Sequence, residues 1–262
     1  MAPKLANLRR MRILLSNDDG INAPGMKVLQ RIARSLSDDV WVVAPEGEHS
    51  GASHSLTLTA PLRLRKISAK KFAVEGTPTD CVMMAMNQVM ADNPPDLLLS
   101  GVNRGANMGE DVTYSGTIAA AMEGTLVGVP SIALSQSFAN RKIMHWATAE
   151  QHAGDVIRRL VAIGWPEEVL MNVNFPDCLP GDVRGVEVVR QGRRDITALN
   201  IEQRIDAREK PYYWLGYRPQ HGTPKAGTDL RATEEGRIAI TPLHMDLTEN
   251  KTLKQLKAAF RA

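Results

Sequence analysis

The sequence predicts an α/β protein: a Rossmann-like, doubly wound, mostly parallel sheet with a β-rich C-terminal arm and a terminal helix. Three observations carry that prediction. First, short and continuously apolar runs recur from residue 11 to residue 175, as strands buried on both faces require. Second, segments of helical periodicity separate those runs, which is the βαβ pattern of a parallel sheet. Third, the pattern changes after Pro176, where the strand-like pieces become more polar. A chain of 262 residues is long enough for one large domain, or for a core with an added arm.

The elements follow in order. Residues 11–16 (MRILLS) form a short buried strand, and residues 17–20 (NDDG) a loop. Met26, Leu29, Ile32, Ala33 and Leu36 then recur at helical spacing. Residues 40–44 (VWVVA) are a second buried strand, stopped by Pro45, and a polar loop rich in Gly, Ser and His follows over residues 46–55. Residues 56–67 alternate apolar and polar, as an exposed or edge strand does, and residues 72–75 are a further extended segment. Thr77, Pro78 and Asp80 read as a helix start, with a cap, a proline at the first helical position and a capping box. Val82, Ala85, Met86 and Val89 supply that helix's buried stripe, where methionine packs the core. Residues 96–100 (DLLLS) are the next strand, residues 101–114 a long loop, and Ser115 opens a small-residue helix. Residues 130–135 hold another core strand, residues 145–163 a helix and residues 169–175 (VLMNVNF) a strand. Residues 186–190, 212–217 and 237–241 are strands of the arm, and residues 249–261 the terminal helix. The division is a catalytic core over residues 11–180 and an arm over residues 181–262, read as an oligomerisation region.

Composition narrows the function classes. The apolar fraction of 43% is that of a globular protein. No apolar run approaches the ~20 residues that span a bilayer, and no signal-peptide core follows the basic residues 1–10. The expectation is a cytoplasmic protein without a membrane partner. Cys81 and Cys178, the only two cysteines, form neither a disulfide framework nor a zinc site. A net charge of +3, with basic clusters at residues 9–12, 63–71 and 190–194, is small for a nucleic-acid polymer binder. Such clusters are solvated faces or attract a small anion.

Ligands of open α/β sheets bind beyond the carboxyl ends of the strands, where strand order reverses. The loops there carry Asn17, Asp18 and Asp19; then Ser50, His49 and His54; then Asn103 and Asn107. Adjacent carboxylates at a strand end repel unless a hard divalent cation offsets them, and oxygen donors suit Mg²⁺ or Mn²⁺. NDDG is also what a turn with a helix-capping Asp requires. Ser115, Gly116 and Thr117 at a helix start suit phosphate, because backbone N–H groups converge there and Gly116 admits close approach. Plain N-capping by Ser115 reads the same way, and residues 101–107 also fit an Asx-rich loop. No G-x-G-x-x-G, G-x-x-x-x-G-K-[ST] or G-x-S-x-G is present, which removes dinucleotide, P-loop and α/β-hydrolase chemistries. His145 and His152 lie seven apart on a helix and read as surface residues.

Together the motifs SNDDGINAPG (residues 16–25), VVAPEGEHSGASHSLT (42–57), GTPTDCV (76–82), SGVNRGANMGEDVTYSGTIAAAMEG (100–124), MNVNFP (171–176), RQGRRD (190–195) and ITPLHMDLT (240–248) resemble the SurE family of stationary-phase survival proteins. The resemblance runs from about Met11 to the end. It implies a 5′/3′-nucleotidase releasing phosphate from nucleoside monophosphates, with some action on polyphosphate. It implies one Mg²⁺ or Mn²⁺ per subunit on Asp18, Asp19, Ser50 and Asn103. Asp18 or Asp19 is then base or nucleophile as well as ligand, and Asn107, Ser115, Gly116 and Thr117 steady the phosphoryl group. It further implies dimers or tetramers that exchange C-terminal elements. Tyr212, Tyr213, Trp214 and Tyr217 cluster in the arm of a chain with 5% aromatics, and fit either an interface or a fold-back onto the chain's own core. The rival function is a metal-dependent nucleotide sensor without catalysis. A phosphatase with an aspartyl-phosphate intermediate ordinarily spaces its aspartates two apart, and here they are adjacent.

Overall fold

The computed structural model describes residues 8–140, 142–194, 199–217 and 223–260. Residues 1–7 of the basic N-terminal stretch and Asp195 of the RQGRRD segment lie outside them. The chain runs β1 (Arg12–Ser16), α1 (Pro24–Leu36), β2 (Asp39–Pro45), β3 (Leu64–Ser68), β4 (Lys71–Val74), α2 (Pro78–Met84), β5 (Leu97–Arg104), α3 (Gly116–Leu126), β6 (Ser131–Gln136), α4 (Trp146–Ile163) and β7 (Val169–Phe175). It continues through β8 (Val186–Val188), β9 (Leu199–Ile205), β10 (Pro211–Tyr217), α5 (Asp229–Glu234), β11 (Ile238–His244) and α6 (Asn250–Ala259). The main sheet has nine strands in the order β3-β4-β2-β1-β5-β6-β7-β11-β8.

Alternation along the central strands explains the two helical layers. Ile13 and Leu15 of β1, with Leu97 and Leu99 of β5, face the layer of α1 and α4. Leu14 and Leu98, one residue out of phase, face the layer of α2 and α3. Each strand residue is therefore buried on one side or the other, and apolar runs without alternation are what that demands. Met26, Val28, Leu29, Ile32, Ala33 and Leu36 make the buried face of α1, and fully burying such a Leu or Ile contributes about 1.5–3 kcal/mol. At the start of α2, Thr77 Oγ1 accepts from Asp80 N (3.1 Å) and Asp80 Oδ2 accepts from Thr77 N (2.8 Å), which is the expected capping box.

The site's location follows from strand order. β1 lies between β2 and β5, parallel to both. From β2 the chain runs to the edge strand β3, returns to β4 beside β2, then crosses to β5 on the other side of β1. The switch point is thus at the carboxyl ends of β1 and β5, where helices diverge to opposite faces and leave a crevice.

Several segments differ from the sequence expectation. Of the alternating stretch, residues 64–67 form a strand, which runs on to Ser68 and is an exposed edge. Residues 101–104, expected to begin a loop, continue β5. The strand passes an irregularity against β6 between Ser100 and Asn103. Gly101 makes this possible: its φ is +130°, and a Cβ there would lie 2.2 Å from the Leu134 carbonyl oxygen. Two strand segments after Pro176 join the main sheet, β11 antiparallel to β7 and β8 parallel to β11. The sheet therefore includes strands beyond residue 180, and among the described residues the antiparallel hairpin β9–β10 is the one that stands apart. No described helix is long and apolar enough to cross a membrane.

Candidate active site

The NDDG turn is built at the end of β1. Asn17 Nδ2 donates to Gly20 O (2.9 Å), closing the turn. Asp18 is buried and Asp19 partly exposed beside it. Thr117 Oγ1, at the start of α3, donates a short hydrogen bond to Asp18 Oδ1. Arg104 N, at the end of β5, donates to Asp19 Oδ2 (3.1 Å). His49 N, from the loop after β2, donates to Asp18 O (2.8 Å). Three chain segments distant in sequence thus meet at the two aspartates.

Gly116 is required by this packing. A Cβ on Gly116 would lie 2.7 Å from Asp18 Cβ and 3.0 Å from Pro78 Cγ. The residue that sequence reasoning reserved for an approaching anion is therefore also the one that lets α3 reach Asp18. Ser115 Oγ accepts from Ile118 N (3.0 Å), so Ser115 does cap the helix.

Electrostatics at the pair favour neutralisation. Burial pushes the Asp18 carboxyl above its ordinary value, opposed by the Thr117 hydroxyl and nearby backbone N–H groups, with Glu48 adding repulsion. Asp19 is raised to about 6, first by burial, then by the charge of Asp18, against the N–H and charge of Arg104. Asn17 Oδ1 is buried without a hydrogen-bond partner at the same turn. A crowded pair of carboxylates with an unpartnered amide oxygen beside it fits a hard cation better than it fits two bare charges.

The other expected residues are placed as follows. Ser50 is exposed, one residue from the His49 contact, and its Oγ donates to Glu48 Oε1 (2.8 Å). Asn103 immediately precedes the Arg104 contact, and its Nδ2 donates to Gly105 O (2.9 Å). Asn107 is buried behind this front. Its Nδ2 donates to Ser135 Oγ (2.8 Å), its N–H to Asn174 Oδ1 (2.9 Å), and its carbonyl accepts from Asn172 and Asn174. The β6 and β7 side chains thus anchor the loop through Asn107.

The family model of survival protein SurE matches residues 13–198. The chain belongs to the SurE family. It is 60% identical over 253 residues to a protein of Parvibaculum lavamentivorans named 5′-nucleotidase SurE, covering 96% of this chain and 91% of that one. A Caulobacter vibrioides protein of the same name is 57% identical over 250 residues, covering 94% and 95%. Among solved structures, the SurE protein of Aquifex aeolicus superposes with a TM-score of 0.81 at 39% identity, covering 95% of this chain and 99% of that one.

Three features of this SurE site escaped sequence reasoning. Glu123, buried in α3, meets His54 Nε2 at 2.9 Å and holds the loop after β2 against the helix. Asp80 extends beyond its capping box to accept from Thr57 N (2.9 Å) and Thr57 Oγ1 (2.6 Å) at the end of the same loop. Glu48 adds negative charge near the aspartates. A lone charged residue in an otherwise apolar helix was the available signal for Glu123.

Proposed function

We propose that this SurE chain is a nucleotidase, a phosphoric monoester hydrolase that releases phosphate from nucleoside 5′-monophosphates. The names of its relatives support the activity. The observation that carries the chemistry is the meeting of paired carboxylates, Asp18 buried and Asp19 half-buried, with the N-terminus of α3 at the sheet's switch point. We further propose that Asp18, Asp19, Ser50 and Asn103 hold one Mg²⁺ or Mn²⁺ per subunit. When bound, such a cation neutralises phosphoryl oxygens and acidifies water. The oxygen-only donor set and the raised aspartates support it.

The chain's own groups would act by position and charge. Thr117 fixes one oxygen of Asp18, leaving the carboxylate a single orientation. Asp18 or Asp19 would serve as base or nucleophile as well as ligand, and Asp19, partly exposed beside the buried Asp18, is the one that water reaches more readily. The Gly116 N–H and the Ser115 hydroxyl would receive phosphoryl oxygens, with Thr117 aligning Asp18 beside them and Asn107 holding the preceding loop. Such contacts read phosphate and not the ester position, so the proposal extends to 3′-monophosphates and polyphosphate. Phosphate release from a panel of nucleoside monophosphates, with and without chelator, is the test. Nucleotide binding without phosphate release would establish the sensor instead.

Assembly is part of the proposal. Tyr213, Trp214 and Leu215 of β10 are 58%, 58% and 73% exposed, so these side chains do not fold back onto the chain's own core. Tyr212 and Trp214 pack edge to face on the hairpin (6.4 Å). A lone two-stranded ribbon is marginal in water. We propose a homodimer or homotetramer in which a neighbour covers this arm, in the cytoplasm and with no membrane or nucleic-acid polymer as partner.

A further inference from the structure

The root of the arm is tied to the turn that feeds the phosphate site. Asp229, in the first turn of α5, is fully buried. Its Oδ1 accepts from Gly192 N and Leu230 N (both 2.8 Å), and its Oδ2 accepts from Gly109 N (3.0 Å). Gly109 opens the 3-10 turn Gly109–Thr113, which leads through Tyr114 into Ser115 and α3. Ser115 N donates to Asp111 O (3.0 Å), so the turn and the helix start move together.

Residues 191–194, just before the hairpin, add three further ties. Gln191 Nε2 donates to Gly109 O (2.8 Å) and Arg194 N to Glu110 Oε2 (2.8 Å), while the Arg194 guanidinium pairs with Asp111. Gly192 has no room for a side chain: a Cβ would lie 2.7 Å from Asp229 Oδ1. Helix capping does not explain Asp229, because Thr228 is the N-cap of α5. A buried carboxylate that accepts N–H groups from three segments holds them in one geometry, and loss of either oxygen strands buried donors.

We propose that Asp229 is a positioning residue for the Ser115–Thr117 phosphate site, acting through Gly109 and assisted by Gln191 and Arg194. It makes the arm's root part of the substrate-binding apparatus. The inference rests on the nucleotidase reading for its substrate, but its primary test does not need turnover. Asp229→Asn keeps the shape and turns an acceptor oxygen into an NH₂ that faces an N–H.

Calorimetry would measure the affinity for inorganic phosphate with Mg²⁺ present, on intact protein shown to be folded and of wild-type assembly at the assay temperature. Phosphate Kd should rise about tenfold, and kcat/KM for a nucleoside monophosphate should fall by about the same factor, since misplacement near 1 Å costs up to about a hundredfold. A purely structural Asp229 would lower the melting temperature and leave phosphate affinity alone. Phosphate Kd within twofold of wild type in folded Asp229→Asn would overturn the proposal. Should that variant not fold, Gln191→Ala removes one tie, and a phosphate affinity unchanged in it would overturn the proposal equally. A wild type that binds phosphate but hydrolyses no nucleotide would refute the nucleotidase reading, while the phosphate Kd of Asp229→Asn would still decide this one.

Discussion

Replacing Gly116 by alanine isolates the contact on which the site depends. The added methyl would sit 2.7 Å from Asp18 Cβ and 3.1 Å from Asp18 Oδ2. Carbon atoms in good contact lie about 3.5–4.0 Å apart, so α3 or the NDDG turn must move by close to an ångström. Overpacking of this kind costs roughly 1–3 kcal/mol, and the better helix propensity of alanine returns at most about 1. Net destabilisation from the overpacking should be no more than about 3 kcal/mol, a fall of several degrees in melting temperature. The same displacement breaks the bond from Thr117 to Asp18, and a hydrogen bond to a charged group is worth about 1.5–3 kcal/mol. If that alignment is lost in the transition state, kcat/KM falls by about 10- to 200-fold. Phosphate release at saturating Mg²⁺, measured well below the melting temperature, reads the effect. Activity within threefold of wild type in a folded Gly116→Ala protein would show that the contact of α3 with Asp18 has no part in the chemistry.

Two other predictions concern charge and assembly. Asp19 binds its proton more tightly when folded, at about 6 against an ordinary 3.8. Its contribution to stability is therefore full below about pH 4 and is lost as pH rises through 6. Cation-free Asp19→Asn should accordingly be more stable than wild type at pH 8, by on the order of 3 kcal/mol, and equal to it at pH 4. It should also lose turnover at least about a hundredfold, as removal of a key charged group in a site does. Urea unfolding in chelator at the two pH values checks the first part, and a variant less stable than wild type at pH 8 contradicts it. For assembly, changing Tyr212, Tyr213 and Trp214 to Ser should reduce the particle mass seen by light scattering to that of a smaller species. A monomeric wild type would remove the arm's proposed role, and an intact oligomer in the variant would move the interface elsewhere.

The two helical layers and the loops that carry the candidate site were legible because they arise from local pattern. A strand buried on both faces must be apolar throughout, as Ile13, Leu14 and Leu15 are. A helix against a sheet must repeat its apolar residues at every third or fourth position, as Met26, Leu29, Ile32, Ala33 and Leu36 do. The capping box of Thr77 and Asp80 is equally local, since both partners lie within one turn. NDDG and SGT stood out because crowded carboxylates and a glycine at a helix start are costly without a use. What remained hidden depends on which segments meet. The extension of β5 through Gly101 rests on the Leu134 carbonyl of a neighbouring strand, and nothing near Gly101 in sequence reports that neighbour. Residues 186–190 and 237–241 looked like arm strands because they follow Pro176 and are more polar in character than the core runs, yet β8 and β11 complete the main sheet. Asn107 read as a phosphate ligand, and only the strand order that sets β6 and β7 behind it shows Ser135, Asn172 and Asn174 as its partners. Asp229 carried no local signal, because the Gly109 it holds lies 120 residues away. By itself the sequence determined the period at which each segment meets apolar surface, and hence its class of element. Strand order and the pairing of distant loops were decided only in the tertiary structure, because they depend on long-range packing that no local period encodes.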